Sequence, residues 1–373
     1  MTPFTRSATP SIQGTYSSPL LRSRLYSRVP LRFRYGAFLS KEQLADLVSP
    51  HTDTHELVRT WLIHHGIRPS SISKSHGGSW LTVTDVLVSQ ANQLLGASYQ
   101  LYRNLKTNDT IIRTVGYALP TALHAHILTV TPTTHFPSTR GMRHKVHRRS
   151  SGAAPAPAQA ASGRNVTARE LPGITPSAMR WLYKSNTYKP TLPWWNSLGI
   201  LGIYQDYPSQ SDLTDFMAMY RSDGIDADFR VEKVNGGGYN PNNPSDTANF
   251  GIQYAAAMSY PTPLTFYSIG NDTEWDRDGR PIVMDIYLEW FSNILEDPYP
   301  PPTISISYGE PEKNLPIAYA RSLCDLYARL GARGVTVLVA SGLDGVGAGE
   351  CLNSRGRVQF IPEFPSSCMC GVS

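Results

Sequence analysis

Hydrophobic and polar positions divide the chain into two patterned stretches, each preceded by a polar one. Between residues 39 and 130 the periods are mixed. Ser40 is placed to cap a helix with Leu44, Leu47 and Val48 on one face, and a second helix follows Thr54 with Leu57, Trp61 and Leu62 inward. Trp80–Val83 alternates like a strand, residues 88–102 return to helical spacing through Ala91, Leu94 and Leu95, and two β-like runs, 111–117 and 126–130, follow. Such a mixture predicts a small α+β domain.

From residue 198 the pattern becomes regular. An apolar strand is predicted at 198–204 and further strands at Phe229–Val234, Leu264–Ile269, 303–308 and 335–340. Between them lie helical runs: one opening at Ser211 with Leu213, Phe216, Met217 and Tyr220, then 249–258, 283–295 with Ile286, Trp290 and Ile294, and 314–330. Strands alternating with helices demand right-handed crossovers and a mostly parallel sheet covered on both faces, with any chemistry beyond the carboxyl ends of the strands. Residues 1–36, rich in Ser, Arg and Pro without period, read as disordered. Residues 134–172 read as a linker, in which Arg140, Arg143, Lys145, Arg148 and Arg149 precede the Ala/Pro run 153–161.

Charge sharpens this division. The net +5 conceals 18 Lys plus Arg against 6 Asp plus Glu up to residue 150, and 16 against 23 beyond it. A basic first part and an acidic second part attract one another, as a segment docking on its own partner domain does; two unrelated surfaces are the plainer alternative. The basic tract has no interleaved aromatic residues for base stacking, which speaks against nucleic acid as a partner. No run of about 18 apolar residues spans a membrane. The Arg-rich start does not read as a secretory signal. Four cysteines, Cys324, Cys351, Cys368 and Cys370, fall in the last fifty residues and admit three disulfide connectivities, with Cys351 and Cys368 the candidates carried forward. Their spacing is not a zinc pattern, and the clustered histidines (His51, His55, His64, His65, His144, His147) read as surface groups, so no metal site is expected. Asn108, Asn165 and Asn271 each open an N-x-Thr acceptor for glycosylation on a secretory route. Gly236–Gly238 lacks the Lys and Ser/Thr of a phosphate loop and reads as a flexible turn.

Several ordered segments carry a family likeness. The run 39–48, His76-Gly-Gly-Ser-Trp80, the run 93–102 and Gly116-Tyr-Ala-Leu-Pro120 resemble the pro-domain of sedolisins, the serine-carboxyl peptidases that include tripeptidyl-peptidases and kumamolisin. Leu198-Gly-Ile-Leu-Gly202, Val234-Asn-Gly-Gly-Gly238, the run 249–254, Ile304-Ser-Ile-Ser-Tyr-Gly309 and the run 331–342 resemble the catalytic domain. The resemblance implies a subtilisin-like α/β fold, mostly parallel with helices on both faces and C-terminally truncated, behind a detachable α+β pro-domain. The division expected is a disordered basic terminus (1–36), a pro-domain (37–133), a linker (134–172) and a peptidase domain (173–373). It also implies peptide substrates, hydrolysis at acid pH and an extracellular setting. Family chemistry uses a Ser nucleophile, a Glu base and an Asp orienter, carboxylates that still accept protons where a His is already charged.

The same resemblance predicts loss of that chemistry here. The Glu and Asp lie four apart on one helix, a spacing that stacks them on one face. Alignment through Ala248-Asn249 and Ile252-Gln253-Tyr254 puts Thr247 and Gly251 in their places. Asp246 is one residue out of register, about 100° around the helix, and reads with Ser245 as a cap. Glu310 and Glu312, after Ser307-Tyr308-Gly309, are candidates for the oxyanion-assisting acid, with exposed loop charges as the alternative. The family's Gly-Thr-Ser nucleophile segment and calcium site lie beyond Ser373, so no cofactor is expected in this chain. Three functions remain in view: a catalytically incompetent sedolisin homologue, a pro-domain that binds and inhibits an intact sedolisin, or an incomplete gene model of an active peptidase.

Overall fold

The structure is a computed structural model and describes residues 7–8, 11–14, 36–75, 77–103, 110–136, 140–141, 174–191, 196–203, 206–270, 286–343, 345–347, 352 and 355–368. In the first half, strands β1 (Ser7–Ala8) and β2 (Ser11–Gly14) precede helices α1 (Lys41–Val48) and α2 (Thr52–His64). Strands β3 (Ile72–Lys74), β4 (Trp80–Val83) and β5 (Val86–Leu87) lead into α3 (Val88–Leu95). Strands β6 (Gln100–Arg103), β7 (Thr110–Arg113), β8 (Ile127–Thr131) and β9 (Arg140–Gly141) follow. One antiparallel sheet runs β3-β4-β2-β8; β6 pairs with β7 and β1 with β5. The core of this half gathers Val58 and Leu62 from α2, Leu81 and Val83 from β4, Leu94 and Leu95 from α3, and Ile127 and Val130 from β8. An α+β domain is therefore present where mixed periods predicted one.

Three details differ from the sequence reading, each for a local reason. Ser11–Gly14, in the stretch expected to be disordered, pairs with both β4 and β8. Backbone hydrogen bonds supply that pairing, and a strand with one apolar residue leaves no period to read. Leu57 is exposed, and Val58 takes the inward position on α2 beside Leu62. The helix expected over 88–102 stops at Leu95, because Gly96 turns left-handed at φ +53° and sends the chain into β6. On α1 the expectation holds in detail: Ser40 accepts from the Gln43 amide while the Gln43 side chain accepts from the Ser40 amide, a reciprocal capping box.

In the second half α4 (Pro176–Leu182) precedes β10 (Leu198–Ile203), α5 (Gln210–Tyr220), β11 (Phe229–Val234), α6 (Asp246–Ser259), β12 (Leu264–Ile269) and α7 (Ile286–Glu296). Then come β13 (Thr303–Ile306), β14 (Tyr308–Pro311), α8 (Ile317–Ala332), β15 (Thr336–Val339) and β16 (Glu363–Phe364). The sheet is parallel throughout, in the order β11-β12-β10-β13-β15. β12 is buried along its whole length and β10 nearly so, as a parallel strand covered on both faces must be. Glycines let that cover come close: the Phe266 ring lies where a side chain on Gly202 would go, and Tyr267 approaches within 3.0 Å of the place of a Cβ on Gly199. The strand expected over 303–308 is divided: β13 ends at Ile306, and β14 turns away to pair antiparallel with β16 and β9.

The disulfide joins Cys324 of α8 to Cys368, whose Cα atoms stand 5.3 Å apart. This corrects the candidate pairing of Cys368 with Cys351: Cys324 faces the core on α8, where the chain after β16 returns to meet it, and Cys351 lies outside the described residues. Asn108, Asn165 and Asn271 also lie outside them. The bond closes a separation of 44 residues. Chain-entropy arguments therefore give Cys368→Ser a cost of about 3–4 kcal/mol, to be read as a lowered denaturant midpoint against the oxidised wild type.

Candidate functional site

The order of the strands locates the crevice. From β10 the chain crosses to β11 and returns through β12 on one side; from β13 it moves outward to β15 on the other. Connections thus leave β10 and β13 in opposite directions, and the carboxyl ends of these two strands form the switch point where ligands of open parallel sheets bind. Tyr308, just past β13, donates from its Oη to Asp206 Oδ2 at 3.0 Å, three residues past β10. The Tyr308 carbonyl accepts from the buried Tyr287 Oη. Burial, and then the neighbouring Asp206 carboxylate, push the Tyr308 phenol well above its ordinary value, so it remains a protonated donor and holds Asp206 in one orientation. Sequence reasoning missed this pair. The signal available was the position of Asp206 and Tyr308 after the two strands that flank the switch point, which requires the strand order to be known.

The helix that matters to the family resemblance, α6, begins at this edge. Ser245 is its cap, accepting from the Ala248 amide, while the Ser245 amide donates to the Tyr207 carbonyl. Thr247 and Gly251 lie on one face, and that face looks at the sheet: a Cβ on Gly251 would stand 3.4 Å from Ile200 Cγ2 of β10. Asp246 is exposed. Asn249 fixes α6 against α5, its Nδ2 donating to Asp212 Oδ2 at 2.6 Å and its Oδ1 accepting from the Ser209 amide at 2.8 Å. The carboxylates near α6 are thus turned to solvent or engaged by amides. No two of them converge on the sheet among the described residues.

The glycine turn beside it is closed rather than flexible. Gly237 and Gly270 amides both donate to the Val234 carbonyl, and Ser268 Oγ donates to the Gly238 carbonyl at 2.6 Å. Asn235 and Gly236 hold left-handed φ angles of +46° and +69°. A Cβ on Gly237 would collide with the Ser268 carbonyl oxygen.

Of the two acids put forward for oxyanion assistance, Glu312 is exposed in the 3-10 turn Glu312–Asn314. Glu310 departs from the exposed-loop alternative. It lies in β14, fully buried, and accepts from or donates to His135 Nε2 at 3.0 Å according to protonation. Its carboxylate is therefore directed at the first domain. Among the described residues no group of three His, Cys, Asp or Glu side chains is placed to hold a metal ion.

Residues 24–136 match the family described as Pro-kumamolisin, activation domain. A probable tripeptidyl-peptidase SED3 of Trichophyton verrucosum is 30% identical over 354 residues, which cover 90% of this chain and 56% of that protein. Tripeptidyl-peptidase SED2 of Arthroderma otae is 28% identical over 91% of this chain and 58% of its own length. The chain thus spans little more than half the length of these relatives. The solved structure of Pseudomonas sedolisin (serine-carboxyl proteinase), complexed with two molecules of pseudo-iodotyrostatin, overlaps 53% of this chain and 52% of its own at 18% identity and a TM-score of 0.37. The chain belongs to the sedolisin family.

The two glycines of the site separate in their tolerance. Gly251→Ala meets ordinary contact in mid-helix and is expected to stabilise the protein by about 0.5–1 kcal/mol. Gly237→Ala forces the turn off Ser268 and is expected to cost about 2–3 kcal/mol. Thermal midpoints of the two variants, moving in opposite directions, check both.

Proposed function

We propose that this chain is a sedolisin-type protein whose parallel-sheet domain engages peptides without hydrolysing them. The observation that carries the reading is the face α6 turns to β10, where Thr247 and Gly251 stand and no carboxylate does. A general base must sit within hydrogen-bond reach of the attacking hydroxyl and take its proton. A threonine hydroxyl does not accept a proton at acid pH, and glycine has nothing to offer. Asp246 points elsewhere, Asp212 is engaged by Asn249, and Asp206 is engaged by Tyr308. Peptides as ligands, and an extracellular acidic setting, are proposed on the family relation. The rival reading, inhibition of an intact sedolisin by the first domain in trans, is disfavoured by the docking of that domain on its own α7 and α8.

The test is direct. Tripeptidyl and longer peptides are incubated with the purified chain between pH 3 and 6, and product release is followed by mass spectrometry beside an active relative. Because nucleophile and base act as a unit, turnover is expected at least ~10⁴-fold below the relative. Release clearly above buffer would overturn the reading.

A further inference from the structure

At the amino ends of β10 and β13, on the edge of the sheet away from the crevice, lies a cavity of about 250 Å³. Leu198 and Thr303, the first residues of the two strands, meet there with Met258 and Ser259 from the end of α6 and Thr262 from the turn before β12. Arg180 of α4 and the segment that follows that helix complete the lining. About eight waters at liquid density occupy such a volume, and drug-sized pockets begin near 300 Å³, so a ligand here is small.

Of the twelve lining residues Arg180 alone carries a charge. Its Nη2 donates to the Asn186 carbonyl at 3.1 Å, with the Ser185 and Tyr188 carbonyls at 3.4 and 3.5 Å. That grip fixes the guanidinium and leaves Nε and Nη1 without a protein acceptor among the described residues. The carboxylates nearby are committed elsewhere. Asp223 accepts from Arg221 Nε at 2.8 Å, and Asp226 accepts from Tyr260 Oη at 2.7 Å. Arg221 also donates to the Ala257 carbonyl and lies 5.8 Å from the centre of the Tyr260 ring, so the negative end of α6 is already met by a cation. Burial, and then Arg221, hold the Arg180 guanidinium below its ordinary value, and Asp223 opposes them. Around this cation the Ser197, Thr262 and Thr303 hydroxyls also have no protein partner among the described residues. Leu198 and Met258 add apolar wall.

A cation half-buried without a counter-charge is costly, and an anion removes that cost. A carboxylate takes N–H and O–H donors and offers none, which suits a lining whose free groups donate. One guanidinium answers one negative charge, and the apolar wall accommodates a carbon skeleton. We propose that this cavity binds a small organic carboxylate, with its charge on Arg180 and its oxygens on the Ser197, Thr262 and Thr303 hydroxyls. The site stands on the opposite edge of the sheet from Thr247 and Gly251, and does not depend on whether the protein hydrolyses peptides. A free hydroxy acid and the terminal carboxylate of a short peptide present the same group.

The test is calorimetric titration of the full chain at pH 6 and low salt, where surface charge is little screened. The probes are gluconate with its uncharged counterpart sorbitol, and N-acetyl-alanyl-alanine with its amide. At least one acid is expected to bind with Kd of about 1 mM, the affinity usual for a ligand of this size, and at least about 10-fold more tightly than its counterpart. Which acid binds tells the free acid from the peptide terminus. Arg180→Gln is expected to weaken binding at least about 10-fold through loss of charge-assisted bonds. Arg230→Gln, on exposed β11, is expected to leave it unchanged. Should Arg180→Gln fail to fold, Thr262→Val with Thr303→Val removes two hydroxyls and spares the carbonyl grip, and is expected to weaken binding about 3- to 10-fold. No saturable heat from either acid up to about 20 mM overturns the proposal. So does equal binding of acid and uncharged counterpart, or acid binding that the cavity variants leave unmoved.

Discussion

The pairing of β10 between β12 and β13 fixes everything that follows it in the chain. Strand β10 is the first of its sheet and also its middle, so later strands add on both sides, and each needs a crossover helix to do so. That requirement places α6 with its capped end at the carboxyl edge and opens the switch point between β10 and β13. The glycines of β10 extend the constraint out of the plane of the sheet. They admit Phe266 and Tyr267 closely, and α6 settles on one face at a distance where a Cβ on Gly251 would stand 3.4 Å from Ile200 Cγ2.

The same sheet organises the junction with the activation domain. The chain leaves β13, makes β14, and thereby carries Glu310 out of the crevice and into contact with His135. α8 follows and offers one side to the sheet and another to Trp80 and Ser79. Two acids near the crevice are thus committed inside the protein, Asp206 to a phenol and Glu310 to an imidazole. Here they serve as internal fasteners.

Much of this was legible in the residues. β11 and β12 were bounded correctly to the residue, although Arg230, Glu232 and Lys233 interrupt the first, and the alternation with helices implied the parallel sheet. The first half was harder, because short elements leave short periods. Gly96 could have been read as the end of α3, since a glycine after a helical run is the commonest left-handed terminator. β2 could not, as its order comes from partners distant in sequence. At the site, Thr247 and Gly251 were visible through the family resemblance. Asp206 with Tyr308, and Glu310 with His135, join residues separated by 102 and 175 positions, and no local pattern encodes such meetings.

The overlap of Phe266 with the space above Gly202 couples two distant positions in heredity. A larger residue at 202 survives only where the residue at 266 has already become smaller, and a smaller residue at 266 leaves a void that invites growth at 202. Across descendants of this lineage the two positions should therefore drift as a pair, the ring and the missing side chain exchanging places between adjacent strands while the volume they share stays constant.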